Sequence, residues 1–384
     1  MNREIAQINR IKATQFSNRG KKIGMWNALA AVVLSCLVCA AGAMAEDDDR
    51  PFLPAQVRAV STVPGNGDVN PYGVAFVPPG LPSGGTINPG DILVSNFNSS
   101  ANLQGTGTTI VDVPPTAPVF QFFGGKAPLG LSTALNVLKR GFVLVGNFPS
   151  TDGTCGNASA GSILVIDKNG NQVSTITDPL IQGPWDSTLF DEGGRAKFFV
   201  ANGLNGTIVR VDLSISTSGV IVKKITQIAS SYTFQCDAVT FVDAPTGLVY
   251  DARKDVLYVA STADNAVYAV YDAGDRNHDG GRGRLIYTDA KHLHGPLGMA
   301  MAPNGHLLAS NNDVINSDPN QPSEIVEFTI EGRFVKEISM DPAQGGSFGL
   351  AVDKTEDTAK FAAVDDATNL LLIWTLQRDD RERH

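Results

Sequence analysis

Short apolar runs, separated by clusters of Gly, Asn, Asp and Pro, recur along most of this chain. One clean copy opens at Thr246-Gly247-Leu248-Val249-Tyr250-Asp251 and continues through Val256-Leu257-Tyr258-Val259-Ala260-Ser261. After the polar run Thr262-Ala263-Asp264-Asn265 it resumes with Ala266-Val267-Tyr268-Ala269-Val270. Runs of this length bounded by turn residues read as strands. Labelled A (inner) to D (outer), the strands form six successive units. Their anchor positions Gly73, Gly130, Asp186, Gly247, Gly298 and Gly349 fall 51 to 61 residues apart. Repeats of about four short strands close naturally into a ring, so the pattern predicts an all-β, six-bladed β-propeller of four-stranded antiparallel blades over residues 56–377.

The sixth unit runs out of chain after its third strand, Leu370 to Trp374. Ahead of the first unit, Gln56-Val57-Arg58-Ala59-Val60-Ser61 alternates apolar and polar positions and has no unit of its own. The expectation is that this N-terminal strand completes the last blade, closes the ring and leaves no open edge.

The first 45 residues read as a signal peptide. Arg3, Arg10, Lys12, Arg19, Lys21 and Lys22 precede an apolar stretch from Met25 to Gly42, and Ala43-Met44-Ala45 supplies a small-x-small cleavage site. Residues 46–55 read as an acidic linker and 378–384 as a charged tail. The formal charge of the whole chain is −9; the leader carries six basic residues and one acid, so about −14 remains without it. Such a surface repels phosphate backbones, which argues against a nucleic-acid partner and suits cation binding. Only 7% of the residues are aromatic, which speaks against an aromatic-lined carbohydrate platform. Cys36 and Cys39 leave with the leader. Cys155 and Cys236 remain, an even pair in an exported chain, and a disulfide between them is expected. In propeller topology both fall in loops on one face, the face of the B-to-C and D-to-A connections. A secreted or periplasmic monomer, free of the membrane after cleavage, is the resulting expectation.

The segment Val200-Ala201-Asn202-Gly203-Leu204-Asn205-Gly206-Thr207-Ile208-Val209-Arg210-Val211-Asp212 resembles an NHL-type propeller repeat, as does Asn70-Pro71-Tyr72-Gly73-Val74-Ala75-Phe76. From about Gln56 to Trp374 the chain looks like the broad group of six-bladed propellers holding NHL-repeat and gluconolactonase-like (TolB-like) proteins. That resemblance implies the fold. Functions in the group run from binding scaffolds to metal-dependent hydrolases, and fold does not choose among them.

Candidate chemistry collects where the B strands end. Asn96, Asn147, Asn202, Asp264, Asn312 and Asp365 are expected on the face of the central channel. A ring of such oxygens can hold a hard cation, or each can tie its own loop, since Asn and Asp bond readily to nearby backbone. The resemblance to lactonase-like enzymes implies a metal here and an acid from the first inner strand. Tyr72-Gly73-Val74-Ala75-Phe76 carries no acid, and Asp186 is the one carboxylate at a comparable inner position. His294, just ahead of the fifth inner strand, is a candidate base or ligand. Asp275-Arg276-Asn277-His278-Asp279-Gly280 matches the first half of a calcium loop, with Asp275, Asn277 and Asp279 as candidate ligands for Ca²⁺. Ile286 stands where the closing Glu belongs, so a polar hairpin is the competing reading. No nucleophile elbow, His-Glu-x-x-His, phosphate loop or dinucleotide fingerprint occurs. The function expected is a non-catalytic scaffold binding a small ligand, peptide or partner protein. The alternative is a lactonase- or esterase-like hydrolase with a cation in the channel. A quinone-dependent dehydrogenase, suggested by His294-Gly295-Pro296-Leu297-Gly298, comes third.

Overall fold

A computed structural model describes residues 51–53, 58–354 and 358–377. Strand β1 (Arg58–Ser61) precedes the first sheet, formed by β2 (Val69–Phe76), β3 (Ile92–Asn98), β4 (Thr109–Val113) and β5 (Phe120–Gly124). The second comprises β6 (Leu131–Leu138), β7 (Phe142–Asn147), β8 (Ser162–Asp167) and β9 (Gln172–Ile176), and the third β10 (Pro184–Asp191), β11 (Arg195–Asn202), β12 (Thr207–Ser216) and β13 (Gly219–Ala229). A small hairpin, β14 (Gln235–Asp237) with β15 (Phe241–Asp243), fills the connection to the fourth sheet. That sheet is β16 (Pro245–Asp251), β17 (Val256–Ser261), β18 (Ala266–Tyr271) and β19 (Arg284–Tyr287). The fifth is β20 (Pro296–Met301), β21 (Leu307–Asn311), β22 (Glu324–Phe328) and β23 (Phe334–Ser339). The last carries β24 (Ser347–Lys354), β25 (Thr358–Asp365) and β26 (Leu370–Gln377), with β1 on its outer edge. All pairings are antiparallel, and β1 runs beside β26 from Arg58↔Ile373 to Ser61↔Leu370. Gln56 and Val57 lie outside the described residues, as do the expected leader, the tail 378–384 and most of the linker.

The strands read as unbroken apolar runs because each sheet is covered on both faces. In β7, Val143 and Val145 pack towards the first blade, while Phe142 and Leu144 pack towards the third. In β8 the same division sends Leu164 and Ile166 one way and Ile163 and Val165 the other. This is the period-two geometry of a strand with both faces dry. Inner strands contact their neighbours in cyclic order, β2, β6, β10, β16, β20, β24 and back to β2. Three anchor glycines explain the spacing of that inner ring. A Cβ on Gly247 would sit 2.2 Å from the Leu297 carbonyl oxygen, one on Gly298 2.4 Å from that of Phe348, and one on Gly349 2.1 Å from that of Tyr72. Only a residue without a side chain lets these backbones approach so closely.

Residues 51–53, expected as linker, are docked on the ring. The Phe52 and Leu53 amides donate to the Glu327 carboxylate at 2.8 and 3.1 Å, and Phe52 meets Phe361 edge-on. Among the described residues no helix is long and apolar enough to cross a membrane.

Cys155, in a single 3₁₀ turn (Cys155–Asn157) of the second blade's B-to-C loop, is joined to Cys236 on β14 with Cα atoms 5.4 Å apart. The bridge closes a loop of 81 residues and fastens the hairpin to the second blade. Reduction is expected to cost about 2–5 kcal/mol, read as a lower urea midpoint; an unchanged midpoint would show that the hairpin is held without it.

Candidate functional site

At the end of the axis that carries the disulfide, the channel is filled with aromatic rings. Tyr72 stacks on Phe348 at 3.7 Å and on Phe97 at 4.6 Å. Trp185 meets Tyr72 at 5.5 Å and Phe348 at 6.1 Å, although these residues stand on the third, first and sixth blades. Rings from blades that are not neighbours can touch only where the blades converge. Phe148 and Phe241 complete the group at 5.2 to 5.9 Å from Phe97 and Trp185. Phe241 reaches it from the hairpin with a φ of +69°, a conformation bulky residues rarely adopt, while its ring is 1% exposed. The expected polar pore is therefore a hydrophobic plug here. The low aromatic share said nothing about location: six rings are spent at one place.

All six expected channel-face residues are engaged in tying loops. The Asn96 amide nitrogen donates to the Thr62 carbonyl at 3.1 Å. Asn147 Oδ1 accepts from the Gly130 amide at 2.9 Å, and Asn202 links the Gln182 amide and the Leu180 carbonyl at 2.9 and 2.8 Å. Asp264 accepts from the Thr233 amide and hydroxyl and from Ser261, and lies 3.3 Å from Arg282. Asp365 accepts from the amide and hydroxyl of Thr368. In the fifth blade the equivalent clasp is Asn311, bonded to the His294 amide and the His292 carbonyl. Asn312, one residue on, accepts from the Val314 amide through Oδ1 at 3.0 Å and stands at a cavity wall with Nδ2 unpartnered among the described residues.

That cavity, about 750 Å³, opens above the plug. Tyr72 and Phe348 lie in its floor; Asn70, Asn98, Gln104, Asn312, Asp313 and Asp366 are among its polar walls. Val239, at the tip of the hairpin, overhangs it with 82% exposure, held by a bond from Gln104 to its carbonyl at 2.9 Å. Asn98 Oδ1, Asn312 Nδ2 and Asp313 Oδ1 are buried without a hydrogen-bond partner among the described residues. Burial, with the Asp365 charge beside it, pushes the Asp366 carboxyl up to about 8. Burial and the neighbouring Asp366 likewise hold the Tyr72 phenol well above its ordinary range.

The two expected catalytic candidates do not meet. Asp186 lines a separate cavity of about 520 Å³ at the opposite end of the axis, where burial raises its carboxyl well above the usual range and the Ser187 amide donates to it at 2.6 Å. His294 is buried in the fifth blade beside Asp313 and Glu324. Nδ1 of its ring lies 3.1 Å from Glu324 Oε1 and 3.9 Å from Asp313 Oδ1. Burial, reinforced by the Asp313 charge, pushes Glu324 up to about 8. Glu324 is absent from the sequence reading. Its only signal is a carboxylate opening a strand, Glu324-Ile325-Val326-Glu327-Phe328, in which every residue is buried.

The expected calcium ligands are directed to separate partners. Asp275 pairs with Lys197 at 3.1 Å, Asn277 accepts from Lys224 at 2.9 Å, and Asp279 accepts from Gln227 at 2.9 Å and from the Gly281 amide at 2.8 Å. The loop thereby clasps the fourth blade to the third.

No family model matches the chain, and no curated protein matches it in sequence. Among solved structures it resembles a candidate gluconolactonase with a TM-score of 0.53 and 12% identity, over 85% of this chain and 94% of that one. It also resembles a candidate oxidoreductase (glucose dehydrogenase) from Thermus thermophilus, with a TM-score of 0.50 and 12% identity, over 84% and 100%. At such identities the likeness is one of fold. The chain is a six-bladed β-propeller.

The Asp366 carboxyl lets burial of the cavity wall be tested by pH. Folding lifts it from the ordinary aspartate range, near ~3.9, to about 8. The folded chain then binds this proton more tightly than the unfolded chain, so its contribution to stability is full below about pH 4 and is lost as pH rises towards 8. Asp366→Asn, which has no proton to lose, is expected to gain on the wild type by more than ~1.4 kcal/mol between about pH 5 and about pH 8. Urea melts at the two pH values check this, and a difference independent of pH would contradict it.

Proposed function

We propose that the chain is an exported binding propeller that takes a small hydroxyl- or amide-bearing molecule in the cavity above Tyr72 and Phe348. The observation that carries this reading is the lining itself, a stacked aromatic floor surrounded by side-chain amides. Amides both donate to and accept from a neutral polar ligand. Concave sites of this size with a few convergent polar groups are the usual form of small-molecule sites. The exposed Val239 at the rim adds apolar contact for whatever covers the opening. The disulfide supports an oxidising compartment.

Hydrolysis of a lactone or related ester is the second reading. It is favoured by Asp313, which belongs both to the cavity wall and to the His–Asp–Glu group behind it. It is favoured also by Asp366, whose carboxyl, raised to about 8, suits proton transfer near neutral pH. The structural neighbour described as a candidate gluconolactonase points the same way. A cation held by Asn202 and Asp264 forms no part of it, because both side chains are spent on loops.

Monosaccharides, aldonolactones and short peptides screened by ligand-observed NMR against the purified chain test both readings. Hits are expected to bind at least about tenfold more weakly to Asn98→Ala and Asn312→Ala, and unchanged to Asp275→Ala. Hits indifferent to the first two would place binding elsewhere. Turnover of glucono-1,5-lactone that stops with a chelator and in Asp366→Asn would establish the hydrolase; binding without turnover leaves the scaffold.

A further inference from the structure

Three segments of the fifth blade meet behind the cavity wall: the residue pair ahead of β20, the residues just after β21, and the first residue of β22. They bring together His294 Nδ1, Asp313 Oδ1 and Glu324 Oε1, all within 4.8 Å of one another. The three side chains are 1–2% exposed. None of the three atoms has a hydrogen-bond partner among the described residues.

The other face of the imidazole decides what kind of gap this is. Nε2 lies 3.0 Å from the Lys291 carbonyl oxygen. A carbonyl only accepts, so Nε2 carries the hydrogen, and a neutral ring then turns the lone pair of Nδ1 towards two carboxylate oxygens. With both carboxylates ionised, three acceptors converge without a hydrogen between them. Burying them so is costly unless something positive sits among them.

One proton on Nδ1 still leaves a negative charge, and neutrality without a metal needs a second proton on Glu324, whose carboxyl burial lifts to about 8. A divalent ion alone answers both carboxylates, since these and a neutral imidazole around a 2+ charge sum to zero. The separations of 3.1 and 3.9 Å bracket the ~3.4 Å expected between donors around a tetrahedral ion with bonds of ~2.1 Å.

Each donor is also held by its second atom, the arrangement that orients metal ligands. His294 is fixed through Nε2 to Lys291. Asp313 Oδ2 accepts from the Ser323 and Gly345 amides at 2.7 and 2.8 Å, and Glu324 Oε2 accepts from Asn311 at 3.3 Å. Calcium and magnesium prefer oxygen alone; an imidazole nitrogen with two carboxylates suits zinc or manganese.

We infer that His294, Asp313 and Glu324 form a site for one divalent transition-metal ion, Zn²⁺ or Mn²⁺. It lies off the propeller axis and stands independently of any ligand in the cavity. The ion ties the B-to-C loop of the fifth blade, which supplies Asn312 and Asp313 to the cavity, to the strands on either side.

Cobalt(II) titration of the chelator-treated full chain tests this without a variant. Visible d–d bands that saturate at about one equivalent and are displaced by Zn²⁺ or Mn²⁺ are expected. Zn²⁺ or Mn²⁺ should raise the melting temperature where Ca²⁺ at equal concentration does not. His294→Gln and Glu324→Gln should each weaken Co²⁺ binding by at least about 100-fold, while Asp275→Ala should not change it. Absence of saturable bands in the wild type, or bands that survive both substitutions, would overturn the site. So would an NMR titration showing His294 doubly protonated at neutral pH in the presence of Zn²⁺, because the proton would then be the missing charge.

Discussion

Each blade of this propeller is stable only because its neighbours cover both of its faces. A twisted four-stranded sheet of Val, Ile, Leu and Phe cannot stand with either face wet, and six of them solve the problem by packing radially. The inner strands therefore have to approach more closely than side chains allow. Gly247, Gly298 and Gly349 meet that demand where each would otherwise drive a Cβ into the carbonyl of the next blade. The contact of Gly349 with Tyr72 is the closing step of the ring, at its inner edge. At the outer edge β1 pairs with β26 and forms the fourth strand of the sixth sheet.

This constraint explains what could be read from the chain. Burial on both faces turns strands into continuous apolar runs, and close approach selects glycine at the inner-strand positions 247, 298 and 349. Both are local signals, so the number of blades and nearly every strand were legible. The β14–β15 hairpin was not, because its strands are three residues long and the hairpin is held by a disulfide and by the burial of Phe241. The aromatic plug was not legible either. Phe97, Phe148, Trp185 and Phe348 come from separate repeats and Phe241 from the hairpin between two of them, and only the closed ring brings them to one point.

The plug decides where chemistry can occur. With the axis blocked, the channel becomes two cavities that do not communicate through the ring of aromatic side chains. Asp186 opens to one and Asp313 with Asp366 to the other. A mechanism combining Asp186 and His294 is excluded by this division, although in sequence the two residues looked like members of one channel. The open space at the loop face is displaced towards the first, fifth and sixth blades, because the hairpin occupies the side of the third and fourth.

The series of residues ending the B strands shows why a repeat hides its own exceptions. Asn96, Asn147, Asn202 and Asn311 each use the side chain to hold the backbone of a preceding loop. The fifth blade meets that structural need with Asn311 and then carries two further polar residues. Asp313 adopts a φ of +58°, a left-handed conformation that Asp and Asn enter more readily than other residues. Its two carboxylate oxygens divide the work: Oδ2 takes two loop amides, and Oδ1 is turned towards His294 and Glu324. A sequence reading aligned on the repeat takes Asn312 as the counterpart of Asn202. The structure shifts the counterpart to Asn311, and the two residues left over are the ones that reach the cavity.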